Sequence, residues 1–318
     1  MTIADRIRGL GVAIATPFLE GDSPSGTGGV DLPAFRKLVR YLRDGGADFL
    51  VVLGSTGEAA TMSQEERDRL VAAAREERGN MPLVVGTGHN STEAAVDLAR
   101  RAAAAGAEAL LVVVPYYNKP QPGGIEAHFR AIAAAVPDLP IVAYNVPGRT
   151  GLNLLPKDLA RLWTIPQVVA VKESSGNLAQ IGEIARTLPP GKTLLSGDDG
   201  LALAAIAVGA KGLISVMANV LPTETKALVD AAMEGRMDEA RALHYRLLPV
   251  MDALFLETNP APLKAALSLL GMGSDIPRLP LVRASEATRA RLVELLSAFG
   301  LPVGSGGPSS SGSAKGLS

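Results

Sequence analysis

The stretch Val168-Val169-Ala170-Val171-Lys172-Glu173-Ser174-Ser175-Gly176 sets four apolar residues, three of them valine, ahead of a lysine and a Ser-Ser-Gly turn. A short apolar run bounded by turn residues is the pattern of a buried strand. A lysine carried into such a core loses hydration, which disfavours its charged form. The neutral amine attacks a ketone or aldehyde and forms a Schiff base. A lysine that merely tops a strand and points to solvent would lack that chemistry, and the strand alone does not choose between the two.

Working outward, runs of the same kind recur at 11–18, 49–55, 82–88, 108–116, 140–147, 168–174, 193–198 and 212–219. Amphipathic stretches at 32–44, 64–78, 92–105, 124–135, 156–162, 178–188 and 200–208 separate them. Strand–helix alternation builds right-handed βαβ units and a parallel sheet. Eight units predict an α/β fold, a (β/α)8 TIM barrel over residues 1–222, a fold that takes about 250 residues. An open doubly wound sheet competes with it, but no G-x-G-x-x-G follows the first strand. Polar residues also gather where the strands end: Thr16, Ser55 and Thr56, Tyr144 and Asn145, Lys172 and Glu173, Asp198 and Asp199. In a barrel those ends converge on the catalytic mouth.

From 223 to 300 the pattern is purely helical, at 223–234, 237–255, 261–270 and 285–299, with Gly235 and Gly271 as stops. This C-terminal helical extension is expected to pack on the barrel and offer an assembly surface. The Gly/Ser-rich end, 301–318, predicts a disordered or appended tail. Residues 20–29 predict a mobile surface loop.

Composition narrows the function. The 318 residues are 47% hydrophobic but only 4% aromatic, so the core is aliphatic. A net charge of −1 with no basic run gives no reason to expect nucleic acid or an acidic membrane as partner. The absence of cysteine excludes disulfides, thiolate metal sites and a cysteine nucleophile. No secretory signal opens the chain and no apolar run approaches about 18 residues. A soluble, cytoplasmic protein is expected.

Among the nine lysines, Lys37, Lys157, Lys226 and Lys264 fall in helical stretches and read as solvated. Lys192 and Lys211 precede strands, at the wrong mouth of the barrel, Lys315 is in the tail, and Lys119 sits in a Pro-rich loop open to water. Lys172 alone ends an apolar strand at the functional mouth. Imine formation moves protons, so an acid/base group must lie within hydrogen-bond reach. Tyr144, ending the neighbouring strand, is the candidate, with the hydroxyls of Ser55 and Thr56 extending it; an amphipathic rim tyrosine is the plain alternative. His128 and His244 read as surface or partly buried helical residues, while His89 ends a strand. Ser55-Thr56-Gly57-Glu58 offers hydroxyls and backbone N–H groups that suit an anion, or simply caps a helix. Arg149 is placed to grip a carboxylate bidentately, or is a solvated loop arginine.

Six motifs in order carry a resemblance. They are Gly54-Ser55-Thr56-Gly57-Glu58, Pro115-Tyr116-Tyr117-Asn118-Lys119-Pro120, Tyr144-Asn145-Val146-Pro147-Gly148-Arg149-Thr150-Gly151, Val171-Lys172-Glu173-Ser174-Ser175-Gly176, Ser196-Gly197-Asp198-Asp199, and Glu257-Thr258-Asn259-Pro260-Ala261-Pro262-Leu263-Lys264. Through them the chain resembles the dihydrodipicolinate synthase / N-acetylneuraminate lyase family of pyruvate-dependent class I aldolases, from Gly11 to about Gly300. The resemblance implies that Lys172 forms the imine with pyruvate and Tyr144 shuttles protons. Ser55 and Tyr117 would complete the relay, Tyr117 reaching into a neighbouring subunit's site. Thr56 would bind the pyruvyl carboxylate, Gly197 and Ile214 would give backbone contacts, and Arg149 would hold the carboxylate of L-aspartate 4-semialdehyde. No external cofactor is implied, and a homotetramer built as a dimer of dimers is.

Some positions depart from the family pattern. Ser55 stands where a threonine is usual, keeping the hydroxyl but losing the methyl that limits its rotamers. Residues 20–29 form a longer loop than the family leads one to expect. Ala59, Ala60, Asn90 and Tyr116 fit the family's lysine-feedback pocket, but Gln64, Arg67 and Ala94 replace its side chains. An effector ammonium needs a carboxylate and Arg67 would repel it, so weak or absent lysine inhibition is expected. A 2-keto-3-deoxy-sugar-acid or N-acetylneuraminate lyase is the rival within this chemistry, and Arg149 argues against it. A phosphate-handling barrel is disfavoured by Asp198 and Asp199. A non-catalytic binding protein on this fold would be expected to lack the lysine or the tyrosine.

Overall fold

The computed structural model describes residues 2–21 and 26–304. Its strands are β1 (Gly9–Ala13), β2 (Phe18–Glu20), β3 (Thr27–Val30), β4 (Phe49–Val52), β5 (Leu83–Gly86), β6 (Ala109–Val113), β7 (Ile141–Asn145), β8 (Val168–Glu173), β9 (Thr193–Ser196) and β10 (Gly212–Ser215). The helices are α1 (Ile3–Arg6), α2 (Leu32–Asp44), α3 (Gln64–Glu77), α4 (Thr92–Ala104), α5 (Pro122–Ala135), α6 (Pro147–Thr150) and α7 (Pro156–Leu162). They continue as α8 (Leu178–Thr187), α9 (Ala202–Ala207), α10 (Pro222–Met233), α11 (Met237–Ala253), α12 (Ala261–Leu269) and α13 (Glu286–Ala298). Eight parallel strands close in the order β1-β10-β9-β8-β7-β6-β5-β4, with β4 returning to β1. The expected TIM barrel is therefore present.

Two differences from the sequence reading lie at the first strand. It runs Gly9–Ala13, and Phe18 leaves the barrel to start an antiparallel hairpin with β3. The segment 20–29, expected to be a mobile loop, thus begins and ends in paired strands; residues 22–25 lie outside the described residues, as does the tail from 305. The short α6, within the Pro-Gly-Arg-Thr stretch, was not anticipated.

Helix starts follow their caps. Ser63 and Glu66 form a reciprocal capping box on α3, and Ser91, Asn177 and Ser285 cap α4, α8 and α13. After β10, α10 packs on β1, β10 and α9 and takes the eighth place in the outer ring, while α11, α12 and α13 pack together beside it. No helix among the described residues is long and apolar enough to cross a membrane.

The sheet buries both faces. Outward residues such as Leu50, Leu83, Leu110 and Leu213 meet the helices, while Phe49, Val51, Val84, Leu111, Val142 and Ile214 fill the barrel. Phe49 plugs the interior opposite Gly11, where a Cβ would lie 2.2 Å from its ring.

Candidate active site

Lys172 reaches the barrel interior because β8 carries an irregularity. Ile141 pairs with Val168, but Val142 pairs with Ala170, so Val169 is an extra residue on β8. Val168 faces the helices, Ala170 faces the interior, and from there regular alternation turns Lys172 inward and Glu173 outward. If β8 alternated regularly through Val169, Lys172 would share the outward face of Val168. A one-residue shift of this kind re-aims every side chain beyond it.

The lysine is 5% exposed, and its ammonium nitrogen lies 4.3 Å from the centroid of the Tyr144 ring. Tyr144 is its register partner on β7. On the β9 side, Gly197 abuts the lysine stem. A Cβ there would fall 2.0 Å from Ser174 Oγ and 2.7 Å from Lys172 Cε, so only glycine leaves the side chain its path. The Gly197 N–H donates to the Glu173 carbonyl at 2.8 Å, tying β9 to the end of β8. Ile214 is fully buried on β10, inside the barrel.

Glu173 takes no part in this interior. Its carboxylate accepts from Asn145 Nδ2 and from the Ser175 N–H at 2.8 Å, under α8, and burial pushes its pKa up. Asp199 is likewise structural: it accepts from Ser215 Oγ at 2.5 Å and from the Val216 and Met217 N–H groups. Burial raises its pKa as well. Asp198 lies in the cavity wall.

Lys172 opens into a cavity of about 510 Å³ whose walls include Tyr144, Ser55, Thr56, Arg149, Gly197 and Asn259. Thr56 is 4% exposed and follows β4 in a tight turn, whereas Ser55 beside it is exposed. Asn259 Nδ2 donates to Thr56 Oγ1 at 3.0 Å, and Arg149 Nη2 donates to the Asn259 carbonyl at 3.0 Å. Seven of the eight residues singled out from the sequence are thus gathered around one cavity or the strands beneath it. Tyr117 is not: it is 87% exposed, with φ 72°, and lines neither this cavity nor the next. Among the described residues no group of three or more His, Cys, Asp or Glu is placed to hold a metal ion.

The family model described as the dihydrodipicolinate synthetase family matches residues 6–299. The chain belongs to this family. It is 44% identical over 295 residues to a protein of Syntrophus aciditrophicus named 4-hydroxy-tetrahydrodipicolinate synthase, covering 92% of this chain and 99% of that one. Among solved structures it resembles dihydrodipicolinate synthase from Aquifex aeolicus, with TM-score 0.88, 41% identity, and 93% and 99% of the two chains covered. The Thermotoga maritima dihydrodipicolinate synthase gives TM-score 0.88 and 41% identity over 92% and 99%.

Two features of this dihydrodipicolinate synthetase family chain escaped the sequence reading. Lys264, read as solvated, is 1% exposed: it forms an ion pair with Glu58 and donates to the Ile276 carbonyl at 2.9 Å. Burial outweighs the Glu58 attraction and lowers its pKa to about 8. The missed signal is that α12 is apolar on every side, which marks a buried helix whose lysine needs a partner. His128 is also buried, 3% exposed, bonded to Thr92 Oγ1 at 3.0 Å, with its pKa lowered to about 4 by burial. A second cavity of about 390 Å³ adjoins the first, lined by Ala59, Ala60, Arg67, His89 and Tyr116. Arg67 donates to the Ala59 carbonyl there, while Gln64 turns away to Asp68.

Proposed function

We propose that this chain is a lyase of the class I aldolase type. It condenses pyruvate, held as a Schiff base on Lys172, with L-aspartate 4-semialdehyde to give 4-hydroxy-tetrahydrodipicolinate, in the route to diaminopimelate and lysine. The observation that carries this reading is a buried lysine that forms no ion pair among the described residues, set against Tyr144 in a cavity that Thr56 and Arg149 also line. The names borne by its 44% identical relatives support the same reaction.

In this scheme Lys172 Nζ adds to C2 of pyruvate, and the carbinolamine loses its hydroxyl as water. The imine draws electrons from C3, so a C3 proton leaves and an enamine forms. The enamine carbon then bonds to the aldehyde carbon, whose oxygen takes a proton. The amine of the second substrate attacks C2, closes the ring and frees Lys172. The imine is the electron sink, so the scheme needs no external cofactor. Tyr144 moves the protons, with Ser55 and Tyr117 of the partner subunit completing the relay. The exposure of Tyr117 supports that assignment, because a tyrosine outside its own cavity is available to a second copy. We read the assembly as a homotetramer, a dimer of dimers, in the cytoplasm. Thr56 takes the pyruvate carboxylate, the Gly197 and Ile214 backbones border the imine, and Arg149 takes the carboxylate of the semialdehyde.

Arg149→Ala tests the second substrate. It is expected to leave pyruvate trapping on Lys172 intact while cutting turnover with aspartate semialdehyde by about 10²-fold, the scale of losing a positioning contact. Unchanged turnover with that aldehyde would show that another acceptor is the true one.

A further inference from the structure

Asn259 stands in the turn between α11 and α12, outside the barrel strands, yet it is 4% exposed and borders both cavities. Its side chain donates to Thr56 Oγ1 and its backbone carbonyl accepts from Arg149, each at 3.0 Å. Its own Oδ1 is buried with no hydrogen-bond partner among the described residues. A buried acceptor left unpaired is costly, and the bond this amide makes is the one its N–H donates to Thr56.

That N–H determines what Thr56 can do. A threonine hydroxyl has one hydrogen and two lone pairs. With a lone pair engaged by Asn259, the hydrogen is left to donate into the cavity, which is the polarity a carboxylate requires. The backbone carbonyl acts separately: it takes one N–H of the Arg149 guanidinium and leaves the remaining donors for a second anion.

We infer that Asn259 is the positioning residue for both substrate carboxylates, through its side chain for the first and its backbone for the second. On this account the C-terminal helical region completes the site rather than serving assembly alone. The inference rests on the function proposed above and adds a residue to it.

The two routes separate on substitution, because replacing the side chain leaves the carbonyl in place. In the full-length enzyme, Asn259→Ala is expected to raise the pyruvate KM roughly tenfold, the scale of one hydrogen bond that orients a partner for a charged group. The KM for the semialdehyde should move by no more than about twofold, since the Arg149 contact survives. The near-isosteric Asn259→Asp keeps the shape but removes the donor and adds a like charge, so its pyruvate KM should rise further. In a Thr56→Val background, Asn259→Ala should add no further rise, because its target is gone. An unchanged pyruvate KM in Asn259→Ala, an equal rise for both substrates, or the same rise with Thr56→Val present would overturn the inference. Borohydride trapping of pyruvate on Lys172 in the unsubstituted enzyme keeps the two readings apart. No adduct there defeats the proposed reaction, whereas an adduct together with any of those three results defeats only the role of Asn259.

Discussion

Lys172 and Lys264 are both buried lysines, 5% and 1% exposed, and each lies near an aromatic ring, Tyr144 at 4.3 Å and Phe18 at 3.9 Å. They differ in what else surrounds them. Lys264 is sealed: Glu58 pairs with it, Ile276 accepts from it, and Arg278 lies on the same Phe18 ring at 4.3 Å. Lys172 forms no ion pair among the described residues and faces a cavity of about 510 Å³. Burial is common to the two, so burial does not make a nucleophile. Room for a substrate and the lack of a carboxylate partner do.

The largest expected effect follows from that contrast. Lys172→Met should bring turnover to background in a steady-state assay and leave the denaturation midpoint unchanged or higher, since it removes an unpaired buried amine. Substantial residual turnover would break the comparison. Gly197→Ala probes the same lysine by position instead of chemistry. Its Cβ would overlap Ser174 Oγ and Lys172 Cε, and a displacement of about 1 Å is enough to cost about 10²-fold in kcat.

Lys264→Met should do the opposite of Lys172→Met. It strands the Glu58 carboxylate in the core and should cost about 3–5 kcal/mol in denaturant unfolding while pyruvate trapping persists. Adding Glu58→Gln should recover part of that loss. If Lys264→Met is instead inactive but fully stable, the two lysines have been assigned the wrong way round.

The smallest effect extends the contrast to a third sealed group. His128 has a pKa near 4 in the fold against its ordinary 6.5. Below about 6.5 the unfolded chain takes up a proton that the folded chain refuses, so the stability this residue contributes at neutral pH is lost as pH falls toward 4. His128→Gln should flatten that part of the stability–pH curve. An unchanged slope would mean that the ring is not held neutral.

The barrel was legible because its signals are local and repeated. Eight apolar runs alternate with helical stretches, and Lys172, Tyr144, Thr56 and Arg149 all sit at strand ends or just beyond them. What stayed hidden depends on contacts between distant segments. Val169 looks like any other valine in an apolar run, and only the register against β7, which passes over it, makes it the extra residue that turns Lys172 inward. Lys264 reads as a helical lysine until Glu58, some two hundred positions earlier, is folded against it. Asn259 carries no chemical signature of its own, and its position depends on Thr56 and Arg149 arriving from β4 and α6.

The central claim is that Lys172, rather than the other buried lysine, forms the pyruvate imine. Borohydride reduction of the enzyme in the presence of pyruvate, followed by peptide mass mapping, tests it directly. The account predicts one reduced pyruvyl adduct, on the peptide containing Lys172, and none on the peptide containing Lys264. An adduct on Lys264, or none on either, would contradict it.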